Sequence, residues 1–127
     1  MERVTGIGGV FIKAKDPKAL AAWYEKHLGI NFSGQTYMAF RWENPHHPTA
    51  PGSSVFSFFA KDTNYFDPSE SCAMINFRVM NLSQLLEALK TEGVAIIGDM
   101  VDESYGKFGW IMDPEGNKIE LWEPVDG

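Results

Sequence analysis

The stretch Gly9-Val10-Phe11-Ile12-Lys13-Ala14-Lys15-Asp16-Pro17 is answered, 65 positions later, by Met74-Ile75-Asn76-Phe77-Arg78-Val79-Met80-Asn81-Leu82. Each begins as a short run of strand-forming residues and ends on a side chain suited to cap a helix. Asp16 is followed by Pro17, whose fixed φ suits the first helical position and whose missing N–H is not needed there. Asn81 has Gln84 three residues on, the spacing of a capping box. Downstream of these caps, Leu20, Trp23, Tyr24 and Leu28 recur at helical spacing, as do Leu82, Leu85, Leu86 and Leu89. Gly29 and Gly93 close the two helices, because glycine takes the left-handed C-terminal conformation without a Cβ clash. Both helices thus carry one apolar stripe, and each needs a sheet to cover.

Working outward, each helix is followed by a short extended segment, 30–33 and 94–97, and then by two more strand patterns. In the first half these are 38–42 and 55–60, joined by a Pro-rich loop over 43–53 that holds His46 and His47. In the second they are 108–112 and 118–123, joined by Asp113-Pro114-Glu115-Gly116-Asn117, a turn composition. Both halves read βαβββ, over about 5–60 and 72–124, with 61–71 as a polar connector inside one domain, 1–127. One helix covers one sheet face and leaves the other bare. The predicted fold is therefore α+β, two βαβββ modules whose sheets join edge to edge as a cupped mixed sheet around a shared concavity. Strand alternation puts Val10, Ile12 and Ala14 under the first helix and Ile75, Phe77 and Val79 under the second. Gly9, Phe11, Lys13, Met74, Asn76 and Arg78 then face the concavity.

Composition narrows the function classes. With 127 residues, 44% hydrophobic and 22% charged, the chain can bury one core and is neither disordered nor collagen-like. No apolar run is long enough to cross a bilayer, and residues 1–4 lead into a strand pattern without an apolar leader, so a cytoplasmic protein is expected. A net charge of −6 repels phosphates, which argues against nucleic acid and anionic membrane partners. The single Cys72 forms no internal disulfide and reads as a small buried side chain. His27, near the end of the first helix, reads as a surface residue. Nine Phe, four Trp and four Tyr exceed what two helices need and favour strands or an aromatic cavity.

The opening over 10–29, with Asp16-Pro17, Trp23-Tyr24 and Leu28-Gly29, and the closing Asp113-Pro114-Glu115-Gly116-Asn117-Lys118-Ile119-Glu120-Leu121-Trp122-Glu123-Pro124 resemble the vicinal oxygen chelate superfamily. That superfamily includes glyoxalase I, extradiol dioxygenases, methylmalonyl-CoA epimerase, fosfomycin-resistance enzymes and bleomycin-binding proteins. The resemblance spans nearly the whole chain and implies a glyoxalase/bleomycin resistance/dihydroxybiphenyl dioxygenase-like fold and, commonly, a homodimer. It also implies where a divalent ion would sit, toward a His near the start of each module's first strand and a carboxylate on each last strand. Here those first-strand positions fall on Gly9 and Met74, and the strand over 55–60 holds no carboxylate or imidazole. Glycine offers no ligand atom and a thioether is too soft for such an ion. Only Glu120 keeps a family ligand position, so no metal and no cofactor is predicted, a weakly held divalent ion apart.

The chemistry of the cleft then falls to Glu120, Lys13, Asn76, Arg78 and the rings of Phe11, Phe56, Phe58, Trp110 and Trp122. Pairing about the 113–117 turn sets Trp110 opposite Glu120, and a period of two puts Trp122 on the same face. Burial between indoles disfavours the charged form of a carboxyl, which makes Glu120 the general-base candidate; its alternative is an ion pair with Arg78 or Lys13. Lys13 and Arg78, equivalent in the two modules, would hold a carboxylate or phosphate. Tyr105-Gly106-Lys107 reads as a loop able to lid the cleft. Two functions follow: a binding protein for a small-molecule ligand, or a glyoxalase-type lyase or isomerase moving a proton next to a carbonyl with Glu120 as base.

Overall fold

The structure, a computed structural model, describes residues 3–125 apart from 47, 48 and 50. His47, which the sequence places as a solvated histidine of the Pro-rich loop, lies outside the described residues. The elements are β1 (Val4–Ala14), α1 (Pro17–Leu28), β2 (Tyr37–Trp42), β3 (Gly52–Ala60), β4 (Ala73–Val79), α2 (Leu82–Thr91), β5 (Ala95–Ile96), β6 (Val101–Glu103), β7 (Gly106–Met112) and β8 (Lys118–Pro124).

Both helices start where the caps place them. Asp16 Oδ1 accepts from Ala19 N at 3.1 Å, and Asn81 Oδ1 accepts from Gln84 N at 3.1 Å. Each bond satisfies one of the amides that a helix N-terminus leaves without an intrahelical partner. α1 ends at Gly29 in the left-handed region, φ 70°. The strands form one mixed sheet in the order β2-β3-β1-β4-β8-β7-β5, with β6 pairing on β7. β1 runs parallel to β3, β4 runs parallel to β8, and the two halves meet where β1 and β4 pair antiparallel.

Both helices cover the same face of this sheet. Under α1, Ile12, Ala14, Phe56 and Phe58 pack with Ala21, Tyr24 and Phe32; under α2, Phe77, Val79, Ile111 and Leu121 pack with Leu82, Leu85, Leu86 and Leu89. The stripe of α1 is turned from the predicted one. Ala21 is buried, whereas Trp23 is 52% exposed and Leu28 59%. Trp23 instead lies outside the core against His27, the two rings tilted with centroids 4.9 Å apart.

Three local expectations are corrected. Segment 30–33 does not join the sheet, because Phe32 turns into the core and Ser33 takes a positive φ of 52°, incompatible with a strand. Tyr105 lies in the turn between β6 and β7, and Gly106 and Lys107 already belong to β7, so this segment is a β-hairpin instead of a loop. Cys72 is exposed, because it precedes β4 at the sheet margin, where its carbonyl accepts from Lys13 N at 2.8 Å.

Candidate functional site

The face opposite the helices carries its own cluster, in which Phe11, Phe66 and Met74 are buried against Val55, Phe59, Tyr65 and Trp110. Beside it opens a cleft of about 430 Å³ with Phe11, Phe59, Tyr65, Phe108, Trp110 and Glu120 in its lining. A depression of about 600 Å³ on the helix side, against Leu20, Trp23 and Tyr24, is open, and no buried polar group lines it among the described residues.

Glu120 is the chemical centre of the cleft. It is 2% exposed, and it stands beside Asn76 on β4 and Trp110 on β7 in the sheet register. Asn76 Nδ2 donates to its Oε1 at 2.8 Å, while the Trp110 Nε1–H and the Tyr65 hydroxyl both donate to its Oε2, at 3.1 and 2.5 Å. A buried carboxylate needs such donors to offset its lost hydration. Burial first, and then the adjacent Glu120 charge, push the Tyr65 hydroxyl pKa well above its ordinary value, so this group stays a donor. Lys118 lies close by. Its Nζ donates to the Tyr65 carbonyl at 2.9 Å and sits 5.6 Å from the ring centroids of both Tyr65 and Trp110; burial lowers its pKa.

The other predicted residues divide. Phe11 lines the cleft, but Phe56 and Phe58 do not. In the parallel pairing of β1 with β3 they stand beside Val10 and Ile12, and so point under α1, where Phe58 packs 5.1 Å from Tyr24; Phe59 takes the cleft position. Lys13 and Arg78 do not converge, because antiparallel pairing carries equivalent positions to opposite ends. Arg78 pairs with Gly6, seven positions from Lys13 along β1, which at ~3.3 Å per residue is roughly 20 Å. Lys13 Nζ rests 5.2 Å from the Phe66 ring. The Arg78 guanidinium is buried 5.4 Å from Trp42 and 5.1 Å from Trp122, with Nη1 donating to the Ser53 carbonyl at 3.2 Å. Trp122, stacked on Phe108 at 6.0 Å, belongs with Arg78 more than with Glu120. Tyr65 and Phe66 were hidden in the polar connector; the signal available was an adjacent aromatic pair within an otherwise hydrophilic stretch.

The repeat maps a second quartet onto this floor. Gly9 matches Met74, and Ser57, beside Phe11 in the register, matches Glu120, beside Asn76. The family resemblance implies that a divalent ion would be held at Gly9, Ser57, Met74 and Glu120, and their chemistry does not fit one: a single carboxylate, a hydroxyl and a thioether. The position of Gly9 is also filled, since a Cβ there would lie 2.7 Å from the Phe11 ring and 2.9 Å from the Val55 carbonyl. Among the described residues no group of three or more His, Cys, Asp or Glu is placed to bind a metal.

Two βα units joined through antiparallel first strands, with one cleft opposite both helices, define a paired-module α+β protein. The profile of the Glyoxalase/Bleomycin resistance protein/Dioxygenase superfamily matches residues 6–121, and the chain belongs to that superfamily. Among curated proteins no sequence relative matches. Among solved structures, methylmalonyl-CoA epimerase from Mycobacterium tuberculosis is 22% identical, with a TM-score of 0.59 over 98% of this chain and 91% of its own. The Streptomyces coelicolor methylmalonyl-CoA epimerase in complex with 2-nitronate-propionyl-CoA is 14% identical, with a TM-score of 0.66 over 96% and 99%. A superfamily member from Vibrio splendidus 12B01 is 11% identical, with a TM-score of 0.58 over 97% and 99%. At these identities the likeness is one of fold.

Proposed function

We propose that this chain is a small-molecule binding member of its superfamily that works without the standard metal site. It takes a compact, largely apolar ligand into the concave cleft and sets a hydrogen-bond donor of that ligand against Glu120. The observation that carries this reading is the committed state of the carboxylate: three donors already engage it. A carboxylate has about four lone-pair sites, so one remains for a ligand. Lifting a proton at that site would neutralise the charge that Tyr65, Trp110 and Asn76 all donate to, whereas orienting a ligand leaves those three charge-assisted bonds intact. Aromatic walls and a volume of about 430 Å³ suit one compact organic molecule. The same reading keeps the cytoplasm as the compartment and a homodimer as the assembly; the dimer is supported by the family resemblance alone.

Screening small molecules by thermal shift tests the proposal. Ligands should raise the melting temperature of the native chain and lose that effect in Trp110→Ala. Calorimetric titration with Mn²⁺, Ni²⁺ and Zn²⁺ should show no tight stoichiometric uptake; such uptake would restore a glyoxalase-like metal mechanism. Solvent deuterium appearing next to the carbonyl of a bound ligand, and absent with Glu120→Gln, would replace binding by the lyase or isomerase reading with Glu120 as base.

A further inference from the structure

Resting on the reading that the cleft holds a ligand, we infer that this ligand is an organic cation, an amine or quaternary ammonium carried on a compact apolar body. Six aromatic side chains and two carboxylates, Glu103 and Glu120, line the cleft, and no basic side chain does so among the described lining residues. The face of an aromatic ring attracts a cation through its quadrupole, and most strongly where water is excluded. Rings of this cluster already do so within the protein: Lys118 Nζ lies over Tyr65 and Trp110, and Lys13 Nζ lies over Phe66.

The carboxylates decide between ligand classes. A neutral apolar body would be satisfied by the rings but would gain nothing from the Glu103 charge at the rim and would leave the remaining acceptor site of Glu120 without a donor. An anion would meet like charge on entry. An ammonium group gives the remaining acceptor site of Glu120 an N–H donor and is drawn inward by the Glu103 charge at the rim. Tyr65, Trp110 and Asn76 are neutral donors, so they spread the Glu120 charge without cancelling it. Lys118, on which that charge acts, is tied to the Tyr65 carbonyl and is not part of the lining. Glu103 is exposed, so it meets an arriving ligand before Glu120 does, and the net charge of −6 favours cations over anions on approach.

Isothermal calorimetry with naphthylmethylamine, naphthylmethanol and naphthoate separates the contributions, because the three share a body and differ in charge. The amine should bind at least about tenfold more tightly than the alcohol or the carboxylate, which is about 1.4 kcal/mol. Added salt and Glu103→Gln, a change on an exposed strand that leaves the core untouched, should each weaken the amine and spare the alcohol. Equal or tighter binding of the alcohol or of naphthoate, lost in Trp110→Ala, would overturn the cation while leaving the cleft as the ligand site. Failure of all three to bind, or binding unchanged by both Glu103→Gln and Trp110→Ala, would overturn the cleft reading and the cation with it.

Discussion

Tyr65 donates to Glu120 across 2.5 Å from a segment whose composition reads as a linker. Its phenol is held neutral by burial and by the carboxylate, so its pKa in the folded chain stands above the ordinary 10.0 of the unfolded one. Below that value the proton is bound in both states and the group adds no pH dependence. Above it the unfolded chain releases the proton while the folded chain keeps it, so stability should fall as the pH rises past 10.0. Tyr65→Phe should lose this alkaline fall. At neutral pH the same change removes one of the three donors from a buried carboxylate and should cost about 1–3 kcal/mol. Urea denaturation in steps from neutral to alkaline pH measures both effects; an unchanged alkaline slope in the variant would contradict the assignment. The cleft residues show what the sequence could give at this scale. Glu120, Asn76, Trp110 and Phe11 were legible because period two and one hairpin turn set their faces. The sequence points to Phe56 and Phe58 in place of Phe59 because three phenylalanines within four positions leave the face undetermined until β3 is paired with β1.

The two helices carry the same cap but not the same anchorage. α1 is held at its start by Asp16 alone among the described side chains, whereas α2 has Asn81 on Gln84 N and, from β8, Glu123 Oε1 accepting from Leu82 N at 2.8 Å. A carboxylate there also suits the positive end of the helix dipole. Asp16→Ala should therefore cost about 1 kcal/mol of stability. Asn81→Ala should cost less, and the double change Asn81→Ala with Glu123→Ala more than Asp16→Ala. Thermal melts of the four proteins rank these costs, and an Asn81→Ala loss equal to that of Asp16→Ala would refute the second anchor. Both helices and every strand but β6 are legible, since caps and apolar periodicity are local signals. β6 is not: Val101-Asp102-Glu103 has no alternation, and it is a strand only because β7 offers it a partner. Segment 30–33 fails to form a strand for the converse reason, as core packing of Phe32 outweighs its extended pattern.

At the scale of the molecule, the antiparallel seam between β1 and β4 decides what the duplication means. It keeps both helices on one face and makes the opposite face common property, but it also reverses one half relative to the other. That reversal sends Lys13 and Arg78 to opposite ends, and no local pattern encodes it. The seam also divides the site: Phe11 comes from the first half, Phe66 and the Tyr65 donor from the connector that follows it, and Met74, Asn76, Trp110 and Glu120 from the second half. A chain of roughly 60 residues buries only about 60% of its surface, and each half taken alone would expose both the β1–β4 edge and its share of the aromatic floor. The chain should accordingly unfold in one transition, with circular dichroism and tryptophan fluorescence coinciding, because Trp42 and Trp122 flank the same Arg78 from different halves. Fragments 1–71 and 72–127 should each lack a cooperative transition alone and regain one on mixing. A fragment that melts cooperatively by itself would show that the halves are separate folding units, and the cleft between them a surface of contact instead of a shared core.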